Sequence, residues 1–256
     1  MSLGISVQHA SKHFGGVTAV DDVTFDVAPG GIAGLIGPNG AGKTTMFNLI
    51  TGVLEPSSGA IWIGEHDLAG LGGVAGISKI GVARTFQAPR SFPSLTVSQN
   101  VEVMFDDVRE GLFGALFRPG PNRRHRAAAQ EVLDRLKLGH LADSTIDLLS
   151  GGELRMLEIA RQLAREPRLL MLDEPTAGLD RGYQDQLSTT LKEINADGTT
   201  VLLVEHNLRF LFENVDYVHV MSQGGLIASG EPDVISADEA VINAYLGRAK
   251  DASASS

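Results

Sequence analysis

Apolar positions along the 256-residue chain fall into three patterns. ISVQHASKHF (5–14), AVDDVTFDV (19–27) and AIWIG (60–64) alternate apolar and polar side chains, the period of half-exposed antiparallel strands. GIAGLI (31–36), Leu169 to Leu172, Val201 to Val204 and Tyr217 to Met221 are short continuous apolar runs, which is how strands buried on both faces of a parallel sheet read. Between Pro89 and Arg168 the period becomes helical: Thr96 to Met104, Arg123 to Leu138, and Ser150 to Arg165, where Leu154, Leu157, Ala160, Leu163 and Ala164 share one face. The pattern predicts one α/β domain over 1–247, with a parallel core sheet, an antiparallel β-subdomain and a helical insertion over about 89–167. The segment after Gly247, RAKDASASS, lacks apolar anchors and is expected to be disordered.

Composition narrows the chemistry. The chain has no cysteine, which excludes disulfides, thiolate metal sites and cysteine nucleophiles. A formal net charge of −10 disfavours phosphate backbones and anionic lipid surfaces as general partners, so no nucleic acid is expected. The basic run Arg123, Arg124, His125 and Arg126 reads as a solvated helix start. No apolar run approaches the ~20 residues that span a bilayer, and the first residues lack the pattern of an export signal.

Gly37–Pro38–Asn39–Gly40–Ala41–Gly42–Lys43–Thr44 is a complete G-x-x-x-x-G-K-[ST] between a predicted strand and a predicted helix. Glycines there let backbone N–H groups approach phosphate oxygens, and the helix N-terminus adds favourable partial charge. Gly37, Asn39, Gly40, Ala41, Gly42, Lys43, Thr44 and Thr45 are therefore the candidate nucleotide loop, with Lys43 directed at the β- and γ-phosphates and Thr44 at Mg²⁺. Asp173 and Glu174 end an apolar run, where open α/β sheets place ligands; Asp173 would complete the Mg²⁺ environment and Glu174 would orient or deprotonate water. GTPases, nucleotide kinases, helicases and transport ATPases all remain open at this point. Leu149–Ser150–Gly151–Gly152–Glu153 then adds a second glycine cradle behind a helix N-cap. One γ-phosphate does not need two cradles in one chain, which points to a head-to-tail dimer sharing nucleotide.

In this order GPNGAGKTT, Gln87, LSGGE, LLMLDEP, AGLD (177–180) and His206 resemble the ATP-binding cassette (ABC) ATPases, over nearly the whole chain. The resemblance implies the P-loop NTPase ABC fold, ATP and Mg²⁺ as ligands, and hydrolysis to ADP and phosphate. It implies that Gln87 senses the γ-phosphate and Mg²⁺, that Asp180 lies in the loop reaching across the dimer, and that His206 contacts the γ-phosphate and attacking water. Phe14 is the expected adenine platform, with Val20 a lesser contact and Trp62 a packing residue. Glu153 and Leu154 depart from the commonest family pattern without removing a phosphate ligand.

FGGVTAVDDVTF (14–25), GVARTFQAPRSFPSLTVSQNV (81–101), VEHNLRFLFENVD (204–216) and VINAYLG (241–247) are similar to the ATPases of branched-chain amino-acid importers, a pattern shared with urea and short-amide importers. That resemblance implies two permeases, a second cassette, a substrate-binding protein acting indirectly, and a place at the cytoplasmic face of the membrane. Gln87 to Val97, with Phe86, Phe92, Pro93 and Leu95, is the expected permease contact. The alternatives are the ATPase of a lipid or lipopolysaccharide exporter and a soluble ABC protein acting on ribosomes or DNA; the latter normally carries tandem cassettes or long coiled-coil insertions.

Overall fold

The computed structural model describes residues 2–85, 91–105 and 123–245. The expected tail over 248–256 lies outside the described residues, as do Phe86 and Gln87. Two compact units form, the first from residues 1–84, 168–177 and 191–256, the second from 85–167 and 178–190.

The first unit holds two sheets. One is antiparallel and pairs β1 (Ile5–Phe14) with β2 (Val17–Val27) and with β4 (Ser58–Ile63), which pairs with β5 (His66–Asp67). Alternation in β1 and β2 buries Ile5, Val7, Val23, Phe25 and Val27 while their neighbours face water. The register between β1 and β2 shifts three times between Val7 and His13. Each shift changes the phase of the in-and-out pattern.

The other sheet has the order β10 (Gly225–Gly230), β9 (Tyr217–Ser222), β3 (Ile32–Ile36), β8 (Thr200–Val204), β7 (Leu169–Asp173), β6 (Val82–Arg84). All neighbours are parallel except the β9–β10 hairpin. Every residue of β3, β7 and β8 is buried, which explains the apolar runs Ile32 to Ile36, Leu169 to Leu172 and Val201 to Val204 within them: both faces are covered. The helices of this unit are α1 (Lys43–Ile50), α2 (Val74–Lys79), α7 (Leu208–Phe212) and α8 (Pro232–Ala237). His219 of β9 is 2% exposed, its Nδ1 2.9 Å from Ser229 Oγ and its Nε2 3.1 Å from the Asp26 carbonyl. Burial pushes its pKa down to about 4, against a smaller raising effect of that carbonyl.

The second unit is helical. α3 (Val97–Glu102) starts at a capping box formed by Thr96 and Gln99, α4 (Arg123–Arg135) buries only Ala129 and Leu133, and α5 (Gly151–Leu163) follows the second glycine cradle. Arg123, Arg124 and Arg126 are exposed at the start of α4, and Arg126 bonds Asp143 at 2.8 Å, as a solvated helix start does. α5 departs from the single apolar face expected of it. Met156 and Ile159 are buried as fully as Leu157 and Ala160, and the helix also buries Arg155, Glu158 and Arg161. Arg155 Nη1 meets Glu158 Oε2 at 2.7 Å with both side chains under a tenth exposed, so the charges are internal to the unit. α6 (Arg181–Ala196) begins in this unit.

Candidate functional site

Three strands of the parallel sheet deliver the candidate residues to one edge. Leu35 of β3 registers with Val204 of β8, and Val204 with Asp173 of β7. The chain leaving β3 becomes the glycine loop, that leaving β8 becomes Glu205 and His206, and that leaving β7 becomes Glu174. All emerge at the carboxyl ends of adjacent strands, the edge where open α/β sheets bind ligands.

The glycine loop closes on its own lysine. Lys43, 6% exposed at the start of α1, donates from Nζ to the Gly37 carbonyl at 2.7 Å and the Pro38 carbonyl at 3.1 Å. Gly40 and Gly42 have φ of 77° and 99°, a left-handed region that side chains rarely adopt. A Cβ at Gly37 would lie 2.1 Å from the Met221 carbonyl oxygen, and one at Gly42 2.4 Å from that of Ala19. The loop is thus a turn of bare backbone around an ammonium, with Asn39, Gly40 and Thr44 exposed, Thr45 half-buried and Ala41 packed inward. That is the shape and charge a triphosphate requires.

Asp173 is 3% exposed at the end of β7. Among the described residues no group of three or more His, Asp or Glu could hold a metal ion. A Mg²⁺ ion bound by Thr44 and Asp173 would complete its shell with phosphate oxygens and water, the usual arrangement for this cation.

Glu174 Oε1 lies 2.7 Å from His206 Nε2, both side chains partly exposed. Glu174 has φ of +48°, unusual for a residue with a side chain. Its N–H donates to the Val204 carbonyl at 2.8 Å, and the Ala177 N–H donates to its carbonyl at 3.0 Å. The turn therefore holds a carboxylate against an imidazole at the rim, able to accept a proton.

At the hairpin tip Phe14 is 47% exposed, with the Lys12 ammonium 5.5 Å from its ring centroid. Val20, expected beside it, is instead fully buried in the core and offers no surface to a base. The residue opposite Phe14 is Val17, 66% exposed. The register shifts in β1 and β2 account for the exchange.

In the second unit Ser150 caps α5. Its N–H and hydroxyl both donate to Glu153 Oε2 at 2.7 Å, the Glu153 N–H reaches Ser150 Oγ at 3.3 Å, and the Tyr183 hydroxyl lies 3.4 Å from that oxygen. The Ser150 N–H, followed by its hydroxyl, holds the Glu153 pKa below the usual carboxylate value. A Cβ on Gly152 would strike the Tyr183 ring at 2.3 Å, whereas Gly151 faces open space. Asp180 is exposed and accepts from the Tyr183 N–H at 3.1 Å. Phe92, 47% exposed, carries the Arg161 guanidinium 5.1 Å from its ring centre. The turn it belongs to is clamped by fully buried Asn100, whose Nδ2 donates to the Phe92, Leu95 and Thr96 carbonyls and whose Oδ1 accepts from the Phe92 N–H.

A family model described as ABC transporter matches residues 20–177. The chain belongs to the ABC transporter family and is an ATPase of that family. A second model, described as Branched-chain amino acid ATP-binding cassette transporter, matches residues 226–251 of this ABC ATPase. The ATPase is 39% identical over 251 residues to the High-affinity branched-chain amino acid transport ATP-binding protein LivG of Escherichia coli strain K12, covering 96% of this chain and 98% of LivG. It is 36% identical over the same length to the corresponding protein BraF of Pseudomonas aeruginosa. A crystal structure of an ABC transporter cassette in its ADP conformation superposes with a TM-score of 0.83 at 30% identity, covering 96% of this chain and all of that one. A dimeric bacterial ABC transporter cassette superposes with a TM-score of 0.76 at 26% identity, over 89% of this chain and 98% of the other.

Two residues that sequence reasoning passed over adjoin the site. Glu205 is 2% exposed between the β7 and β8 turns. The Tyr245 hydroxyl is sealed from solvent beside the Gly37 main chain, short of a hydrogen bond to any described group, and burial pushes its pKa up to about 12. Both lie in segments that carry the family resemblance, VEHNLRFLFENVD and VINAYLG, but nothing in the sequence shows that their side chains turn inward.

Proposed function

We propose that this ABC ATPase drives a membrane importer of branched-chain or other hydrophobic amino acids. One observation carries the reading: the likeness to branched-chain amino acid transport ATP-binding proteins runs over nearly the whole chain and includes the C-terminal segment 226–251. Its partners would be transmembrane permeases and a second cassette, with a substrate-binding protein acting through the permeases. Among the described residues no helix is long and apolar enough to cross a membrane. Attachment to the cytoplasmic face would therefore run through the permeases, received by the Gln87–Val97 segment with exposed Phe92, Pro93 and Ser94.

In this reading Phe14 stacks on adenine, and Lys43 exchanges the Gly37 and Pro38 carbonyls for the β- and γ-phosphates. Thr44 and Asp173 would hold Mg²⁺, which when bound would supply charge neutralisation at the phosphates. Glu174 accepts the proton of the attacking water. His206, hydrogen-bonded to Glu174, fixes its carboxylate and faces the γ-phosphate, which Gln87 also senses. The backbone N–H groups and hydroxyl of Ser150, Gly151 and Gly152, with Asp180, close over nucleotide held by a second cassette in head-to-tail register.

The test is purification of the tagged chain from membranes. Co-isolation of amino-acid-type permeases and a second cassette, with hydrolysis stimulated by binding protein loaded with leucine, supports the reading. Co-isolation of a lipid-extracting permease with no response to amino acids contradicts it.

A further inference from the structure

Glu205 leaves a fully buried strand, and a carboxylate there ought to turn outward to water. It does the opposite. The side chain is 2% exposed, and its two oxygens are divided between two loops. Oε1 accepts from the Thr176 N–H at 2.8 Å. Oε2 accepts from the His206 N–H at 3.0 Å and the Asn207 N–H at 3.3 Å. Thr176 lies two residues beyond Glu174 in the turn after β7, and His206 opens the turn after β8.

The two turns thus share one anchor beneath the Glu174–His206 contact of 2.7 Å. Burying a carboxylate is costly unless strong donors replace water, and charge-assisted bonds from main-chain N–H groups are such donors. Glu174 also has φ of +48°, a conformation that persists only where its surroundings over-determine it. The Thr176 anchor limits how that turn can relax. A carboxylate suits this position because both its oxygens only accept; glutamine would set an NH₂ donor against a main-chain N–H on one side.

We propose that Glu205 is a positioning residue for ATP hydrolysis, its buried carboxylate tying the turn that carries Glu174 to the turn that carries His206. This rests on the reading of Glu174 and His206 given above. Glu205 is buried behind the rim, with both oxygens on main-chain N–H groups. It acts through the two loops, and misplacement of reacting groups by about an ångström can cost ~10²-fold in rate. The glycine loop makes none of these bonds, so nucleotide binding should be spared.

The experiment uses the full-length chain with MgATP and measures kcat, KM, ADP affinity and Tm for wild type, Glu205→Gln, His206→Ala, the double variant and Glu174→Gln. For Glu205→Gln we expect kcat to fall roughly 10- to 100-fold, with KM and ADP affinity within about threefold of wild type because the glycine loop is untouched. Residues acting as a unit are non-additive, so the double variant should turn over within about threefold of the slower single variant. Wild-type kcat in Glu205→Gln overturns the proposal. So do losses that multiply in the double variant, or a rise in KM that accompanies a fall in Tm, since each marks general support of the fold. Should Glu205→Gln not fold, Glu205→Asp is measured in its place: its acceptors are one methylene short, and unchanged kcat there overturns the proposal equally. If Glu174→Gln itself hydrolyses at the wild-type rate, the underlying site reading fails. If it is inactive while Glu205→Gln is normal, only the role of Glu205 falls.

Discussion

The glycine loop of the first unit and the second glycine cradle of the other are both bare backbone at a helix N-terminus, yet they keep their polar groups differently. Lys43 is held by two main-chain carbonyls, uncharged partners that a triphosphate can outcompete. Ser150 is held by the Glu153 carboxylate through its N–H and hydroxyl, a charged partner within the same turn. The contrast extends behind the loops. In the parallel sheet of the first unit the central strands β3, β7 and β8 are apolar runs and charge begins only at their ends, whereas α5 keeps Arg155, Glu158 and Arg161 inside. A ligand site can therefore be made by stopping an apolar core abruptly, or by capping a helix whose interior is itself charged. In the first design, loss of a charge should affect ligand more than fold. In the second it should affect the fold.

Glu158→Ala is the harshest test of that division. It leaves Arg155 buried beside a missing carboxylate, and removing one member of such a pair costs about 3–5 kcal/mol. Urea unfolding at pH 7 should read that loss; replacing Arg155 and Glu158 together by Met and Leu should cost less than Glu158→Ala alone. Lys43→Ala should do the reverse, lowering MgATP affinity by roughly a hundredfold or more in calorimetry while the urea midpoint moves little.

The ease of reading the sequence follows the same division. Where strands are buried on both faces, apolar runs with polar ends marked β3, β7, β8 and β9 and pointed to Asp173 and Glu174; Lys43 came from the glycine-loop motif, and a role for His206 only from the family resemblance. Alternation located β1 and β2 but not their phase. Register shifts between Val7 and His13 move Val20 into the core and leave Val17 beside Phe14, and a periodic count cannot register an inserted residue. β6 is three residues long, too short for any period. The buried charges of α5 read from sequence as a polar face, and residues 178–190 join the helical unit by contacts with no sequence signature. Glu205 looks like any carboxylate at a strand end; only its inward turn, with three main-chain donors, gives it away.

His219 supplies a pH test confined to the first unit. Its pKa is about 4 folded against 6.5 for the ordinary imidazole, so the unfolded chain takes up the proton first. The stability linked to the neutral ring is complete above pH 6.5 and is lost as pH falls through about 4. At 1.36 kcal/mol per pH unit that amounts to about 3 kcal/mol. The difference in urea stability between wild type and His219→Phe should change by that order between pH 7 and pH 4; a constant difference would contradict the assignment.

Ser150→Ala should have a small effect on the fold, about 1 kcal/mol for a lost N-cap, read from the urea midpoint. Glu153→Gln should cost less still, because an amide oxygen can accept the Ser150 N–H. If Ser150→Ala instead costs as much as Glu158→Ala, the cradle belongs to the core of its unit and the comparison breaks.

The central claim is that the Glu174 carboxylate, set against His206 at the strand edge shared with the glycine loop, takes the proton of the attacking water. Glu174→Gln keeps the shape and removes the base. Single-turnover hydrolysis of MgATP by the full-length variant, with nucleotide binding measured in parallel, should show binding unchanged and the chemical step slowed by at least ~10²-fold, the lower end for general-base assistance. Hydrolysis at the wild-type rate with normal binding would contradict the account.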